Sequence, residues 1–441
     1  MIARSALCIF FFSFVNLAPF CAPLIAQAPS APAVNHDAEL QLVVMLSRHG
    51  VRSPIGNPNP YAQYAAAPWA QWDVPASYLT AHGYQLMKLM GAWERSKFAT
   101  EGLLAPNGCT DAAHVSIIAD IDQRTLETGK ALAEGMFSGC SVPIQSQPEG
   151  KKDPLFRPIE SGAVHPDSAL ATAAVAGRIG GDPNQLTEVY RPQLTILDRI
   201  LAGCGRGPAN AKRTSIFDIP ASLTAGAGDS PAYLRGPVPT SATIAENLLL
   251  EYTQGMSDAD TGWGCVDEAT LRTVMQINAA NWEYGKRTPA VARIFASRML
   301  DRILKTMAQS ASGEPVPGAL GKSGDRLVIL VGHDTNIVTV AGALGIDWAL
   351  DGRLDDTPPG GALLFELWRP RTGGKPFVRL EFTTQTLEQM RKADPLTPAN
   401  PPAEAPIFVP GCGQQDLSCS WEGFSAAMHQ AIDPAYVGGQ S

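Results

Sequence analysis

Two short apolar runs in this chain each end in a charged segment: Leu40 to Ser47 breaks into Arg48-His49-Gly50-Val51-Arg52-Ser53-Pro54, and Leu327 to Val331 breaks into Gly332-His333-Asp334-Thr335-Asn336. Continuous apolar runs of strand length, closed by turn residues, read as strands buried on both faces. Such strands need a parallel sheet covered by helices. Ligands of open α/β sheets sit in the crevice outside the carboxyl ends of the strands. Two histidines, two arginines and an acid at two such ends therefore point to one assembled site.

The pattern around these runs fits that frame. Leu79 to Ser96 has helical periodicity, with Leu79, Leu86, Leu89, Met90 and Trp93 on one side. Val115 to Ala119 reads as a third buried strand, and Asp120-Ile121-Asp122-Gln123-Arg124 leads from it into a helix over Thr125 to Met136. Arg124 thus lies at a strand-to-helix junction, as Arg48 does. From Ser141 to Thr288 strand-like runs are few and helical ones several, with a loop-rich stretch from Gly203 to Pro239. Helices are predicted over Asn278 to Tyr284 and Pro289 to Met307, the second with Thr288 as N-cap and proline in its first turn. Ala362 to Trp368 and Phe377 to Phe382 read as an antiparallel hairpin at the sheet edge, and Pro395 to Pro410 as loop. The expected fold class is α/β: a mostly parallel sheet flanked by helices, with a smaller α-helical domain inserted. Its parts are residues 36–140 and 289–441 for the α/β domain and 141–288 for the helical cap.

The N-terminus carries Arg4, an apolar stretch from Ile9 to Phe20 too short to span a bilayer, and then Ala26-Gln27-Ala28. Residues 1–28 are therefore expected to be a signal peptide, with Ala33 as an alternative cut because Pro29 follows Ala28. A periplasmic or secreted protein is expected, with no other segment long and apolar enough to cross a membrane. Removing the signal leaves Cys109, Cys140, Cys204, Cys265, Cys412 and Cys419, an even number that favours three disulfides in an oxidising compartment. Spacing does not fix the connectivity. Closeness in sequence favours Cys109 with Cys140 and Cys412 with Cys419, which leaves Cys204 with Cys265. A net charge of −8 argues against nucleic acid as partner but leaves room for an anionic small molecule held by a local arginine cluster.

Phosphate monoesters suit this set of residues. Arginine's planar fork makes paired, charge-assisted hydrogen bonds to phosphate, and Arg48, Arg52 and Arg124 are the candidates. At an effective dielectric near 20, each unit charge about 4 Å away is worth roughly 4 kcal/mol, enough to offset the repulsion an anionic phosphoryl group presents to a nucleophile. A neutral imidazole can attack phosphorus to give a covalent phosphohistidine, and His49 lies between two of the arginines. His333 can donate to a phosphoryl oxygen, and Asp334 can protonate the departing alkoxide. An aspartate with an ordinary pKa near 3.9 is ionised at neutrality. A bound phosphate raises that pKa and the arginines lower it, so an acid optimum is expected. No His-Glu-x-x-His or Cys-x-x-Cys pattern occurs, and neither a metal nor an organic cofactor is expected.

Arg48-His49-Gly50-Val51-Arg52-Ser53-Pro54 resembles the RHGxRxP signature of the histidine acid phosphatases, and His333-Asp334 resembles their second, HD, motif. Ala119 to Thr125, Gln254-Gly255-Met256, Gly262-Trp263-Gly264, Arg287 to Arg293 and Asp356 to Gly361 extend the likeness to the bacterial periplasmic phytase and acid phosphatase branch. The resemblance implies a phosphoglycerate-mutase-like α/β fold with a smaller α domain beside the cleft and no cofactor. By the same resemblance His49 is the nucleophile, Asp334 the proton donor, and Arg48, Arg52, Arg124 and His333 hold the substrate phosphate.

Three positions depart from the phytase pattern. The enteric phytases carry Thr-Lys after the motif's proline, where this chain has Ile55 and Gly56, and an arginine two residues after the RTPxVAR segment falls on Phe295. The expected activity is that of a phytase or broad-specificity acid phosphatase acting, as a monomer, on small phosphomonoesters. Alternatives are a glucose-1-phosphatase-type sugar phosphatase, a non-catalytic binder of phosphorylated ligands and, with less support, a mutase-like transferase. Asp334 alone admits a plainer role as a helix N-cap, and Arg124 as a partner of Asp120 or Asp122. His82, His114, His165 and His429 read as surface or packing residues, and Met256 and Trp263 as packing residues.

Overall fold

The computed structural model describes residues 37–56, 59–204, 213–226 and 230–438; the expected signal peptide lies outside them. The strands are β1 (Ala38–Arg48), β2 (Val115–Ala119), β3 (Ile144–Gln145), β4 (Ser222–Ala225), β5 (Ala232–Arg235), β6 (Leu327–Gly332), β7 (Ala349–Leu350), β8 (Arg353–Leu354), β9 (Ala362–Pro370), β10 (Phe377–Thr384), β11 (Ala403–Ile407) and β12 (Cys419–Ser420). The helices are α1 (Ala81–Thr100), α2 (Gln123–Met136), α3 (Ser168–Arg178), α4 (Asn184–Val189), α5 (Arg191–Leu201), α6 (Pro237–Thr253), α7 (Glu268–Asn281), α8 (Pro289–Ser312), α9 (Asp334–Leu344), α10 (Leu387–Lys392) and α11 (Trp421–Ala431). The central sheet has the order β11-β10-β9-β1-β6-β2-β3, with β12 beside β10. β1, β6, β2 and β3 pair in parallel, as expected of the fold class, and β9 to β11 extend the sheet antiparallel on the far side of β1.

Strand alternation divides the core into two layers. Leu42, Val44 and Leu46 of β1 and Val328 and Leu330 of β6 pack with Leu300 and Ile303 of α8 and Ile337 and Val340 of α9. Val43 and Met45, with Leu327, Ile329 and Val331, face Met87, Met90 and Phe98 of α1 and Leu132 of α2. Both faces of these strands are buried, which is why they read as unbroken apolar runs. Close packing reaches the strand end: a Cβ at Gly83, in the first turn of α1, would lie 2.1 Å from the Val51 carbonyl oxygen. Only glycine lets α1 press against the segment that follows His49.

The chain between β3 and α8 packs a third core from α3 to α7, with Val175, Leu194, Leu197, Leu248, Leu271 and Val274 among its buried residues. Val51 and Leu86 join it, so the helical segment rests against the end of β1. Among the described residues no helix is long and apolar enough to cross a membrane. The disulfides are Cys109–Cys140, Cys204–Cys265 and Cys412–Cys419, as sequence proximity favoured.

Three local expectations are corrected. The stretch from Pro395 to Pro410 is not all loop, because residues 403–407 form β11. Its Pro406 is tolerated since β11 is the outermost strand and the missing N–H costs no ladder bond there. The hairpin of β9 and β10 is accordingly one strand in from the edge. The helix placed at Asn278 begins earlier, at Glu268, and passes at Trp282 into a π-helical turn ending at Lys286.

Candidate active site

The register of β1 and β6 sets Arg48 beside Gly332, so the two charged segments leave the sheet side by side. Backbone bonds fix them there. His49 N–H donates to the Gly332 carbonyl at 3.0 Å, Arg48 N–H to Gly361 at 2.9 Å, and Gly360 N–H to His49 at 3.0 Å. The Asp356 to Gly361 segment thus braces the end of β1, and the Thr357 carbonyl also accepts from the Arg48 guanidinium at 2.5 Å. Gly50 N–H donates to Thr128 Oγ1 (3.0 Å), whose hydroxyl donates to the Arg124 carbonyl (2.7 Å), tying this loop to the helix that carries Arg124.

All six residues singled out from the sequence come together. His49, Arg52, Arg124, His333 and Asp334 line one cleft of about 400 Å³, and Arg48 lies buried beneath it, 3.0 Å from Asp334. The ring of His49 is edge-on to that of His333 with centroids 5.7 Å apart. His49 Nδ1 lies 2.9 Å from the Gly50 carbonyl, an atom that can only accept, so Nδ1 bears the proton and Nε2 keeps its lone pair. Burial first, and then Arg124, Arg48, Arg52 and His333, push the His49 pKa well below its usual range. The imidazole therefore stays neutral, and nucleophilic, in acid.

His333 caps α9, with the Asn336 side chain accepting from its backbone N–H at 2.9 Å; Asp334 is the first residue of the helix and not its cap. His333 Nε2 faces Asp120 Oδ2 at 2.7 Å, and Nδ1 faces Arg124 at 3.4 Å. Burial pushes the Asp120 carboxyl up, but His333 and Arg157 hold it at about 2, so it is an acceptor and the proton sits on Nε2. Burial and Arg124 lower the His333 pKa against the pull of Asp120. Donation from Nδ1 to a phosphoryl oxygen thus requires the imidazolium form. Asp334 is also depressed: burial raises its pKa, and Arg48, Arg52 and His333 more than reverse that.

Two further participants, Glu246 and Arg157, escaped the sequence reading. Glu246 of α6 accepts from both Arg48 and Arg52, the latter at 3.0 Å, and holds the two guanidiniums together. Asp122 pairs with Arg124 at 2.5 Å, the plainer role that residue admitted, without removing Arg124 from the cleft wall. Arg157 reaches Asp120 at 2.6 Å and also pairs with Asp122 and Glu160. No motif marks Glu246 or Arg157; each reaches the cleft from a helix or loop remote in sequence. Asp120, Asp122 and His333 bring donor atoms within 4.8 Å of one another, the spacing of a metal site, but the Arg157 guanidinium already binds both carboxylates. His82 has a packing role, with Nε2 2.7 Å from the Met390 carbonyl, and Trp263 stacks edge-on against Trp69.

An α/β fold with a histidine nucleophile candidate, an arginine cluster and a carboxyl group at the strand ends defines a phosphoric monoester hydrolase of the histidine type. The chain belongs to the histidine phosphatase superfamily (branch 2), whose pattern it matches over residues 39–185 and 242–383. It is 32% identical over 436 residues to phytase AppA of Escherichia coli (strain K12), covering 95% of this chain and 98% of that protein. It is 28% identical over 415 residues to a glucose-1-phosphatase of Providencia rettgeri, covering 92% and 95%. The structure of Hafnia alvei phytase in complex with tartrate matches with a TM-score of 0.83 at 32% identity, over 92% of this chain and 99% of that one. The resemblance read from the motifs is borne out.

Proposed function

We propose that the protein is an exported acid phosphatase that hydrolyses small phosphomonoesters through a phosphohistidine on His49. The observation that carries this is the fixed tautomer of His49, whose Nδ1–H is spent on the Gly50 carbonyl while burial, together with four neighbouring cationic or imidazole side chains, keeps the ring neutral. Arg48, Arg52 and Arg124 supply positive charge for the phosphoryl oxygens, and His333 adds a hydrogen bond once protonated. Nε2 attacks phosphorus, the bond to the ester oxygen breaks, and Asp334, protonated in acid with the substrate bound, gives that oxygen its proton. Water then attacks the phosphohistidine, its proton passing to Asp334, and His49 leaves with inorganic phosphate as product. The anionic substrate raises the pKa of both Asp334 and His333, which is the origin of the acid optimum.

Phytate is the reading favoured by the Escherichia coli and Hafnia alvei relatives. Ile55, Gly56 and Phe295 favour a second one, a phosphatase for less highly charged esters such as sugar phosphates, because three positions near the cleft carry no charge. Export is supported by the N-terminal leader pattern and the three disulfides. Initial rates of the purified mature protein on phytate, glucose 1-phosphate and p-nitrophenyl phosphate at acid pH test the reading. Turnover of at least one is expected, and no turnover of any would overturn it in favour of a binding protein.

A further inference from the structure

His333 stands inside a closed circuit of charge. Its Nε2 donates to Asp120 Oδ2 at 2.7 Å, and the same oxygen accepts from Arg157 Nε at 2.6 Å. Arg157 also pairs with Asp122, and Asp122 with Arg124, whose guanidinium faces the other ring nitrogen at 3.4 Å. Two carboxylates and two guanidiniums thus balance around one imidazole. Also facing the ring are His49, which is neutral, and Asp334, whose charge Arg48 meets at 3.0 Å. Arg52, Glu246, Glu160 and Lys286 complete the charged lining of the cleft.

Arg157 is fastened into this circuit. Asn336 Nδ2 donates to the Phe156 carbonyl at 2.9 Å while Asn336 Oδ1 accepts from the His333 backbone N–H at 2.9 Å, so one side chain ties the Arg157 segment to the motif that carries His333. Arg157 Nη2 approaches His333 Nε2 at 3.3 Å. Both nitrogens bear protons when Nε2 donates to Asp120, so this contact is no hydrogen bond; it sets a fixed positive charge against the ring. Burial depresses the His333 pKa, Asp120 opposes it, and Arg124 and Arg157 add to it. A second proton, on Nδ1, would bring an uncompensated charge into a buried place where the two aspartates are already balanced. An anionic phosphoryl group beside Nδ1 supplies the missing compensation.

We propose that Arg157 is a positioning residue that sets the pH range of catalysis: it fixes Asp120 against Nε2 and offsets the two aspartates, so that His333 takes its second proton only with a phosphoryl group in the cleft. The proposal rests on the phosphomonoesterase reading above. Acting through Asp120 and Asp122, Arg157 confines the working form of His333 to acid solution and ties it to the arrival of substrate.

Arg157→Gln removes the charge and keeps a polar side chain, and its pH profile is the test. Histidine labelled isotopically at Cε1 reports the titration of His333 in the free protein, its signal identified by its loss in His333→Asn. In Arg157→Gln that titration should move up by about one to two pH units, because a lost cation favours the imidazolium. The alkaline limb of kcat/KM for p-nitrophenyl phosphate should move up with it. Arg157→Lys keeps the charge without the fork, so its limb should stay within about half a unit of the wild type even where its maximal rate falls. Should the glutamine variant not fold, Asp122→Asn tests the same balance from the other side and should move the limb to lower pH; a limb that stays or rises there would overturn the proposal. So would a lower rate of Arg157→Gln at every pH with limb and His333 titration unmoved, or an equal upward shift in the lysine variant, each leaving the phosphatase reading intact. No wild-type turnover at any pH would instead remove that reading, and this proposal with it.

Discussion

The Asp334 carboxylate lies 3.0 Å from the Arg48 guanidinium, so the proposed proton donor is held ionised until a substrate arrives. The phosphate must compete for Arg48 and Arg52 and, by its negative charge, raise the Asp334 pKa so that the carboxylate takes up a proton from solution. Asp334→Asn removes the donor but keeps the shape. It is expected to slow hydrolysis of alkyl phosphates by about 10² to 10³ and that of p-nitrophenyl phosphate far less, since nitrophenolate leaves without a proton. Single-turnover rates on the two ester types check this; equal losses would remove Asp334 from the acid role.

Phosphate binding should take up protons. His333 and Asp334 both have depressed pKa values in the free protein, and a bound anion raises both. Calorimetric titration of inorganic phosphate near pH 5.5 in buffers of different ionisation enthalpy should give net proton uptake and tighter binding as pH falls. Proton release on binding would contradict the electrostatic picture of the site.

Glu246 sets the resting charge of the arginine pair. Glu246→Gln keeps a hydrogen-bonding partner for Arg48 and Arg52 but removes the negative charge next to the incoming anion. Inhibition by inorganic phosphate should strengthen by about tenfold, and the unliganded protein should melt lower because a buried ion pair has lost one partner. An unchanged inhibition constant would place Glu246 outside the binding electrostatics.

A second buried charge cluster lies away from the cleft. Glu94, Lys97 and Glu101 of α1 and its C-cap face Glu366 of β9, Glu381 of β10 and Glu404 of β11, with Arg379 on the same strand face turned to Asp416. Five carboxylates share one lysine there, and neither oxygen of the fully buried Glu94 has a hydrogen-bond partner. Burial, reinforced by neighbouring carboxylates, lifts Glu94 to about 8, Glu101 to about 9 and Glu381 to about 7. The folded state therefore holds protons that the unfolded chain has released above its ordinary carboxylate range. Stability should fall as pH rises from about 5 to 9, and Glu94→Gln should flatten that slope. Melting temperatures across this range check it; a Tm that rises with pH would show that the cluster is already ionised.

The two strand-end segments were legible because buried parallel strands are written as unbroken apolar runs, and the register of β1 and β6 then leaves the charged residues no other place to go. Arg124 was legible by the same logic at the end of β2. Glu246 and Arg157 were not: an acid in a buried helix and an arginine in a loop look like ordinary surface residues until tertiary packing brings them to the arginine pair and to Asp120. β11 was hidden by its flanking prolines, which suit an edge strand as well as a loop.

The measurement that bears most directly on the central claim is an acid-sensitive intermediate trapped on one residue. Rapid mixing with p-nitrophenyl phosphate, quenching in alkali, where phosphohistidine survives, and peptide mass spectrometry should find one phosphoryl group on His49 of the wild type. None should be found in His49→Ala, which should still bind inorganic phosphate. A phosphorylated residue other than His49, or substantial turnover by His49→Ala, would contradict the account.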